Sequence, residues 1–596
     1  MSSKHFIDDP THLVQTSLSA LTLLNPSVAF DAQNRIVYRR PTKELTENPK
    51  VSIITGGGSG HEPSITQAFA GFVGKGFVTA AVAGTIFASP SAEQVRRAAL
   101  TRVPTEKGVA IVTFNYTGDV LNFGMAAEKA KAAGVDTEFY AIGDDVGVGR
   151  EKGGKVGRRG IGGSILVLKM IGALAEAGGS LKEVYALSKQ VAGNLVSVGA
   201  SMEHVHVPGR DKPNSDEIIP TEEIEVGMGI HNEPGSHRVS ATLPELIKTM
   251  LAQMLDPNDK DRHYVDITKD DKTVLLINNL GGVSNLEIGG IVAEVHKQLK
   301  EDYGIVPVRV IAGTFITSLN GLGFSASVLK LEDTGLGPGK SMLELLDAPA
   351  EAFGWAAATR TETWNADNST TAEGQPPVTA EGQSSNLKLD PQQAHKVLKA
   401  GLDKMIAAEG DVTRYDTIIG DGDCGIGLKR GAEAVLKELS SGDVPSDAVA
   451  FVNKIVPVVE NTMDGTSGAI YAIFLNALAH GLREQDTGSP TDVDAKTWAA
   501  ALKSSLQALG KYTPAVPGDR TLMDALVPFV DTLSSTGDVK KAAEAAKEGA
   551  EKTKSMKASL GRAVYVGAED EWMGKIPDPG AWGLQEFLVG LAGAAS

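Results

Sequence analysis

The sequence predicts two folded units of different class, an α/β unit over residues 1–355 and an all-helical unit over 389–596, and three observations carry this. Up to residue 355, short β-rich runs alternate with segments of helical period, the pattern of a sheet with crossover helices. From residue 389 onward, long Ala/Leu/Lys/Glu segments alternate with short Gly/Asp/Pro loops, as in a bundle that displays its functional groups between helices. The stretch 356–388 is polar, holds Pro376-Pro377 and has no apolar period. It buries too little surface to offset the entropy of ordering, and it reads as a flexible linker.

In the first unit, Val51–Thr55, Val109–Phe114, Glu138–Ile142, Thr273–Asn278 and Val308–Ala312 are apolar runs of strand length. Ser164–Glu176 and Asn285–Lys300 carry helical spacing. The strands fall into two groups, which predicts two α/β subdomains meeting near residues 200–245. In the second unit, helices are expected over Pro391–Ala408, Ala448–Asn461, Ser467–His480, Ala495–Leu509, Val539–Lys554 and Trp582–Ala594.

Bulk composition narrows the function classes. Hydrophobic residues make up 42% and charged residues 22%, an ordinary globular balance. The 57 basic and 74 acidic residues give a net charge of −17, which opposes nucleic-acid binding. A lone cysteine, Cys424, excludes an intrachain disulfide and fits a reducing compartment. The first ten residues lack a charged-then-apolar leader pattern, and runs such as 165–175 are too short to span a bilayer. A soluble, cytoplasmic protein is expected.

The 67 glycines cluster where backbone must approach something closely. Gly56-Gly57-Gly58-Ser59-Gly60-His61-Glu62-Pro63 directly follows a predicted strand. Its backbone N–H groups suit a small polar ligand, and His61 is a candidate general base; the alternative is a flexible turn. Asn115-Tyr116-Thr117-Gly118-Asp119 ends the strand Val109–Phe114, so Asp119 lies where α/β sheets bind ligands, unless it only holds its own turn. Gly227-Met228-Gly229-Ile230-His231-Asn232-Glu233 sets His231 in a glycine-flanked loop, either a structural histidine or a catalytic one.

In the second unit, Asp416 is followed by Gly420-Asp421-Gly422-Asp423-Cys424-Gly425. Carboxylates this close repel one another unless a cation intervenes. A calcium-binding EF-hand loop starting at Asp421 would need Glu at its twelfth position, where Ala432 stands, so magnesium shared with a triphosphate fits better. Gly465-Thr466-Ser467-Gly468-Ala469 opens a predicted helix and offers N–H donors to phosphate, or simply caps the helix. Two other motifs are set aside. Gly335–Ser341 resembles a phosphate loop but has Thr334 where the first glycine belongs, and His204 and His206 lack partners to complete a zinc site.

These motifs, with Gly518-Asp519-Arg520-Thr521-Leu522-Met523-Asp524, occur in an order that resembles the single-chain, ATP-dependent dihydroxyacetone kinases, or triokinases, over the whole chain except the linker. The resemblance implies an N-terminal substrate domain and a C-terminal helical barrel that holds Mg-ATP. It also implies a homodimer in which one subunit's nucleotide domain faces the other's substrate domain. By position, His231 would attack the substrate ketone to form a hemiaminal, while His61 and Asp119 would handle the proton of the reacting hydroxyl. Gly58, Ser59, Gly60, Phe114 and Asp119 would bind the sugar. Asp416, Asp421 and Asp423 would hold magnesium. The nucleotide would lie against Asp421, Gly422, Asp423, Cys424, Thr466, Ser467, Thr521, Leu522, Asp578, Gly580 and Ala581. One position departs from the family: Phe114 stands where it often has Lys. Glyceraldehyde is a further expected substrate. Cyclising cleavage of FAD to FMN at the same nucleotide site, or non-catalytic sensing of a triose or nucleotide, are the alternatives.

Overall fold

The computed structural model describes residues 4–63, 69–211, 218–355, 359, 361–366, 384–566 and 572–595, which form two compact units, Met1–Thr370 and Thr371–Ser596. Most of the expected linker lies outside the described residues. Its described ends are structured. Thr361 donates to Asp347 at 2.8 Å and Trp364 lies under Arg309 in the first unit, while Asn386 N donates to Asp486 at 2.9 Å in the second.

The first unit contains two six-stranded sheets. Sheet one comprises β1 (Val28–Asp31), β2 (Ile36–Arg39), β3 (Ser52–Ser59), β4 (Ala80–Ile86), β5 (Val109–Phe114) and β6 (Thr137–Ile142), in the order β1-β2-β4-β3-β5-β6. β4, β3, β5 and β6 are mutually parallel, and β1 and β2 add antiparallel strands at one side. The chain leaves β3 for β4 on one side and returns to β5 on the other. The crevice at the C-terminal ends of β3 and β5 is therefore a topological switch point, the usual ligand position of such sheets. Sheet two comprises β7 (Leu195–Ser201), β8 (Ile224–Val226), β9 (His237–Val239), β10 (Thr273–Asn279), β11 (Arg309–Gly313) and β12 (Gly323–Lys330), in the order β11-β10-β12-β7-β8-β9. Only β10 and β11 pair in parallel.

Between the sheets runs the helix Ser164–Glu176, buried at every position from Ser164 to Ala175. It shares one core with Ile53, Ala81 and Val112 of sheet one and Val274, Leu276 and Leu329 of sheet two. A helix apolar all round belongs in such a place. Sheet two therefore begins at Leu195, ahead of the expected meeting point at 200–245. That point falls instead within sheet two, and the small residues of β7 (Leu-Val-Ser-Val-Gly-Ala-Ser) hid it from a hydrophobicity reading.

A second difference concerns the glycines. β3 does not stop at Thr55 but continues through Gly56–Ser59 as a buried strand. A Cβ on Gly56 would stand 2.2 Å from the carbonyl oxygen of Val82, so glycine is required there for strands to pair rather than for a turn.

The second unit is a closed ring of eight helices: Pro391–Ala407, Cys424–Ser441, Ala448–Thr462, Gly465–Glu484, Ala495–Leu509, Met523–Thr536, Val539–Lys552 and Pro579–Ala594. Each packs on the next and the last packs on the first, with Glu409–Ile419 against Cys424–Ser441 and Pro579–Ala594. Among the described residues, no helix is long and apolar enough to cross a membrane.

Candidate active site

In the first unit, the chain arranges three of the motifs around one crevice. β3 ends at Ser59 and delivers His61, β5 ends at Phe114 and delivers Asp119, and the loop between β8 and β9 delivers His231. His61 is buried, with Nδ1 2.8 Å from the carbonyl oxygen of Thr317 and Nε2 3.0 Å from Nε2 of His231. The carbonyl can only accept, so Nδ1 of His61 carries a proton and Nε2 presents a lone pair to His231. Burial, and then the neighbouring His231, push the His61 imidazole down to about 3, which keeps the ring neutral. Phe87 stacks on His61 with centroids 5.1 Å apart, and Phe87 and Tyr116 both meet His231 edge-on.

Glu233 lies behind His231. One carboxylate oxygen accepts the His231 backbone N–H at 2.9 Å, and the other is 3.3 Å from Nδ1. Burial acts to raise this carboxyl, but the hydrogen bonds and charge of His231 and the Arg159 guanidinium hold it at about 2. Arg159 in turn bonds Asp145 through Nε at 2.7 Å and the Gly227 carbonyl through Nη2 at 2.7 Å.

Asp119 is 5% exposed, and its Oδ1 has no hydrogen-bond partner. Burial lifts its carboxyl to about 6, against the opposing effects of the Ser89 hydroxyl and His231. A buried acceptor left open in a crevice is a place for a ligand's hydroxyl. Gly58 and Gly60 allow the close approach of the Phe87–Ala88 segment. A Cβ on Gly58 would stand 2.8 Å from the Ala88 nitrogen, and one on Gly60, at φ +104°, would stand 2.7 Å from the Phe87 ring. Ser59 donates to the carbonyl of Gly84 at 3.0 Å and so braces the loop. Phe114 presents no polar group: its ring is in the core, edge-on to Phe69 at 4.8 Å. His204 faces Glu225, and His206 bonds His5 and the Arg210 carbonyl, so neither belongs to the crevice.

In the second unit, the ring topology explains the remaining motifs. Every second helix starts at one of them: Cys424 after the carboxylate loop, Gly465 in the Gly-Thr-Ser-Gly turn, Met523 after Gly-Asp-Arg-Thr-Leu, and Pro579 after Asp578. The four other helices of the ring are each capped by an aspartate side chain, Asp390, Asp447, Asp494 or Asp538. Of the four motif-bearing starts, only the one at Asp578 has a capping side chain; the N-cap residues Asp423, Asp464 and Leu522 make no such bond. The positive ends of those helices suit an anion, although the Met523 N–H already goes to Thr521 Oγ1 at 3.2 Å and the Cys424 N–H to Asp416. The motifs meet in space. Cys424 Sγ is 3.8 Å from Ser467 Oγ, and a Cβ on Gly580 would stand 3.6 Å from Leu522.

Asp416, Asp421 and Asp423 bring carboxylate oxygens within 4.8 Å of one another, and Asp416 also accepts the Cys424 N–H at 3.0 Å. An all-oxygen, all-anionic set of this size suits a hard divalent cation such as magnesium. Beside it, burial raises Asp578 to about 6 and the Cys424 thiol to about 12, so Cys424 is a packed thiol and not a thiolate. Ala581 N donates to Asp578 at 2.8 Å. Thr466 lies in the first turn of the helix Gly465–Glu484, Thr521 Oγ1 accepts the Met523 N–H at 3.2 Å, and Gly422 takes φ +81° in the carboxylate loop.

The sequence reading missed Phe87, Arg159, Asp145 and Arg520. Phe87 and Arg520 adopt positive φ, at 58° and 61°, and nothing in a sequence announces this for a non-glycine residue. Arg520 is 1% exposed, bonds the carbonyls of Thr553 and Ile576 and stacks on Trp572.

Comparison with known proteins shows the family. The Dak1 domain family matches residues 19–354 and the DAK2 domain family residues 418–593. The dihydroxyacetone kinase of Pichia angusta is 43% identical over 100% of this chain and 99% of its own length. Human triokinase/FMN cyclase is 34% identical over 98% of this chain and 97% of its own. The crystal structure of the dihydroxyacetone kinase of C. freundii with AMP-PNP and Mg2+ superposes with a TM-score of 0.62 at 28% identity, covering 99% of this chain and 100% of that one. With both domain families in order and relatives of this identity along its full length, the chain belongs to the dihydroxyacetone kinase family.

Proposed function

We propose that this protein catalyses ATP-dependent phosphorylation of dihydroxyacetone to dihydroxyacetone phosphate, with Mg2+ as the metal. The observation that carries the site assignment is the His61–His231 contact at 3.0 Å beside the open oxygen of Asp119. Nε2 of His231 attacks the ketone carbon. The C–N bond forms, the C=O π pair moves to oxygen, and that oxygen takes the proton that Nε2 of His231 gives up, beside the accepting Nε2 of His61, giving a hemiaminal. A triose offers few atoms for binding, and this bond adds anchoring that glycerol, lacking a carbonyl, cannot obtain. Asp119, raised to about 6, is matched to take the proton of the reacting hydroxyl as its oxygen attacks the γ-phosphorus and ADP leaves. His61, at about 3, is too weak a base for that step and serves the carbonyl oxygen instead.

Asp416, Asp421 and Asp423 would hold the magnesium ion, which supplies charge neutralisation at the phosphates. Thr466, Ser467, Thr521, Leu522 and the Asp578–Ala581 turn, at the starts of three helices of the ring, receive the nucleotide. Residues 356–388 tether substrate and nucleotide units. The family resemblance supports a homodimer whose two kinds of unit meet across subunits; mixing His231→Ala and Asp423→Ala chains then restores activity. The single cysteine supports a cytoplasmic location, and glyceraldehyde is a second substrate.

The test is ADP release with dihydroxyacetone, glyceraldehyde or glycerol, with and without magnesium. Magnesium-dependent turnover of dihydroxyacetone and not of glycerol is expected. No turnover of any triose by protein that binds Mg-ATP would overturn the reading.

A further inference from the structure

The proposed reaction leaves unused the chain of charges behind His231, which runs from half-buried Glu233 past Arg159 to buried Asp145. We infer that Glu233 is a positioning residue for His231, holding its Nδ1 proton and offsetting the positive charge on its ring, and that Arg159, clamped by Asp145, fixes Glu233 in that role. The inference rests on the reading of His231 as the nucleophile.

The hydrogen-bond geometry leads there. Thr317 O fixes the proton of His61 on Nδ1, so the 3.0 Å contact between the two Nε2 atoms needs a proton from His231. The 3.3 Å contact to ionised Glu233 needs a second proton on Nδ1 of His231. All links are hydrogen bonds together only when His231 carries both protons. With both protons on it, the ring has Glu233 as its counter-ion.

Attack on the ketone preserves that charge. The Nε2 proton of His231 moves to the carbonyl oxygen as the freed lone pair forms the C–N bond, and the Nε2 lone pair of His61 steers it as a hydrogen-bond acceptor. The product is a neutral hydroxyl on carbon and an alkylated imidazolium that still holds its Nδ1 proton against Glu233. No proton is gained or lost overall. A neutral partner in place of Glu233 leaves the positive charge of the adduct uncompensated at a half-buried position.

Glu233 is placed to do this by more than the one contact. Its other oxygen takes the His231 backbone N–H at 2.9 Å, which locks loop and ring together. A Cβ on Gly229 would stand 2.1 Å from the Glu233 carboxylate and 2.5 Å from Arg159, so glycine at 229 leaves room for both groups beside the loop. Arg159 is spent on Asp145 and Gly227 O on its far side and cannot swing away.

The experiment uses the full-length protein with [2-13C]dihydroxyacetone, following conversion of the carbonyl carbon signal to an sp3 signal, alongside steady-state kinetics. Glu233→Gln, which keeps shape and removes charge, should lower adduct occupancy and kcat/KM for dihydroxyacetone by on the order of 100-fold, leave KM for ATP unchanged and shift the pH profile. Arg159→Lys should give a smaller loss in the same direction. An adduct that is present in wild type, absent in His231→Ala and undiminished in a Glu233→Gln variant with unchanged pH profile would overturn the role of Glu233 alone. No adduct in wild type would overturn the nucleophile reading itself, and this inference with it.

Discussion

The Nε2 atoms of His61 and His231 face one another at 3.0 Å, although the two residues are 170 positions apart in the chain. One comes from the end of β3 in sheet one and the other from the β8–β9 loop of sheet two. The contact therefore depends on how the two sheets share the helix Ser164–Glu176, and the core that joins them is what sets the catalytic distance. Helix packing far from the crevice thus bears directly on chemistry, since an error of about 1 Å in such a contact is costly.

Asp119 gives the reaction an acid limb. Its carboxyl sits at about 6, so the base form is lost as pH falls through that value and kcat/KM for dihydroxyacetone should fall with it. Above it the rate should be level until another group titrates. A pH–rate profile checks this, and Asp119→Asn should remove both the limb and most of the activity.

Gly58→Ala tests the close approach of the Phe87–Ala88 segment. The new methyl meets backbone at 2.8 Å, which cannot yield as a side-chain tip would. A loss of about 1–3 kcal/mol in stability, read by denaturant unfolding, should accompany a raised KM for the triose.

Asp421→Ala or Asp423→Ala should weaken magnesium-dependent nucleotide binding by roughly 10- to 100-fold, measured by calorimetry with and without the metal. Unchanged Mg-ATP affinity in both variants would remove these residues from the metal site.

Arg520 holds three segments of the second unit together, through the carbonyls of Thr553 and Ile576 and the ring of Trp572. Lys cannot reproduce the fork and the stacking. Arg520→Lys should cost about 1.5–3 kcal/mol, visible as a lower melting temperature, and should raise KM for ATP while leaving that for dihydroxyacetone alone.

Much of this was legible in the sequence because the chemistry sits at glycine-rich strand ends and helix starts. Gly-Asp-Gly-Asp-Cys-Gly stood out by its crowded carboxylates, and the structure brings those of Asp416, Asp421 and Asp423 within 4.8 Å of one another. Helices in the second unit matched their apolar period, but Glu409–Ile419, Cys424–Ser441 and Met523–Thr536 were not foreseen. Gly425, Gly427 and Gly431 in the second of these and Pro528 inside the third break their pattern, and packing within the ring stabilises both nonetheless. The Phe114 position illustrates the opposite limit. Sequence could flag it as unusual, but only packing against Phe69 shows that its side chain serves the core. Arg159 and Asp145 were invisible for a similar reason: 14 residues separate them, and only folding brings them together behind Glu233.

The central claim is that the site selects a carbonyl through His231, and the most direct test is the ratio of kcat/KM for dihydroxyacetone over glycerol, measured in wild type and in His231→Ala. The account predicts a large ratio in wild type that collapses in the variant, with most activity lost and the protein still folded. A near-normal turnover of dihydroxyacetone by His231→Ala, with the ratio intact, would contradict it.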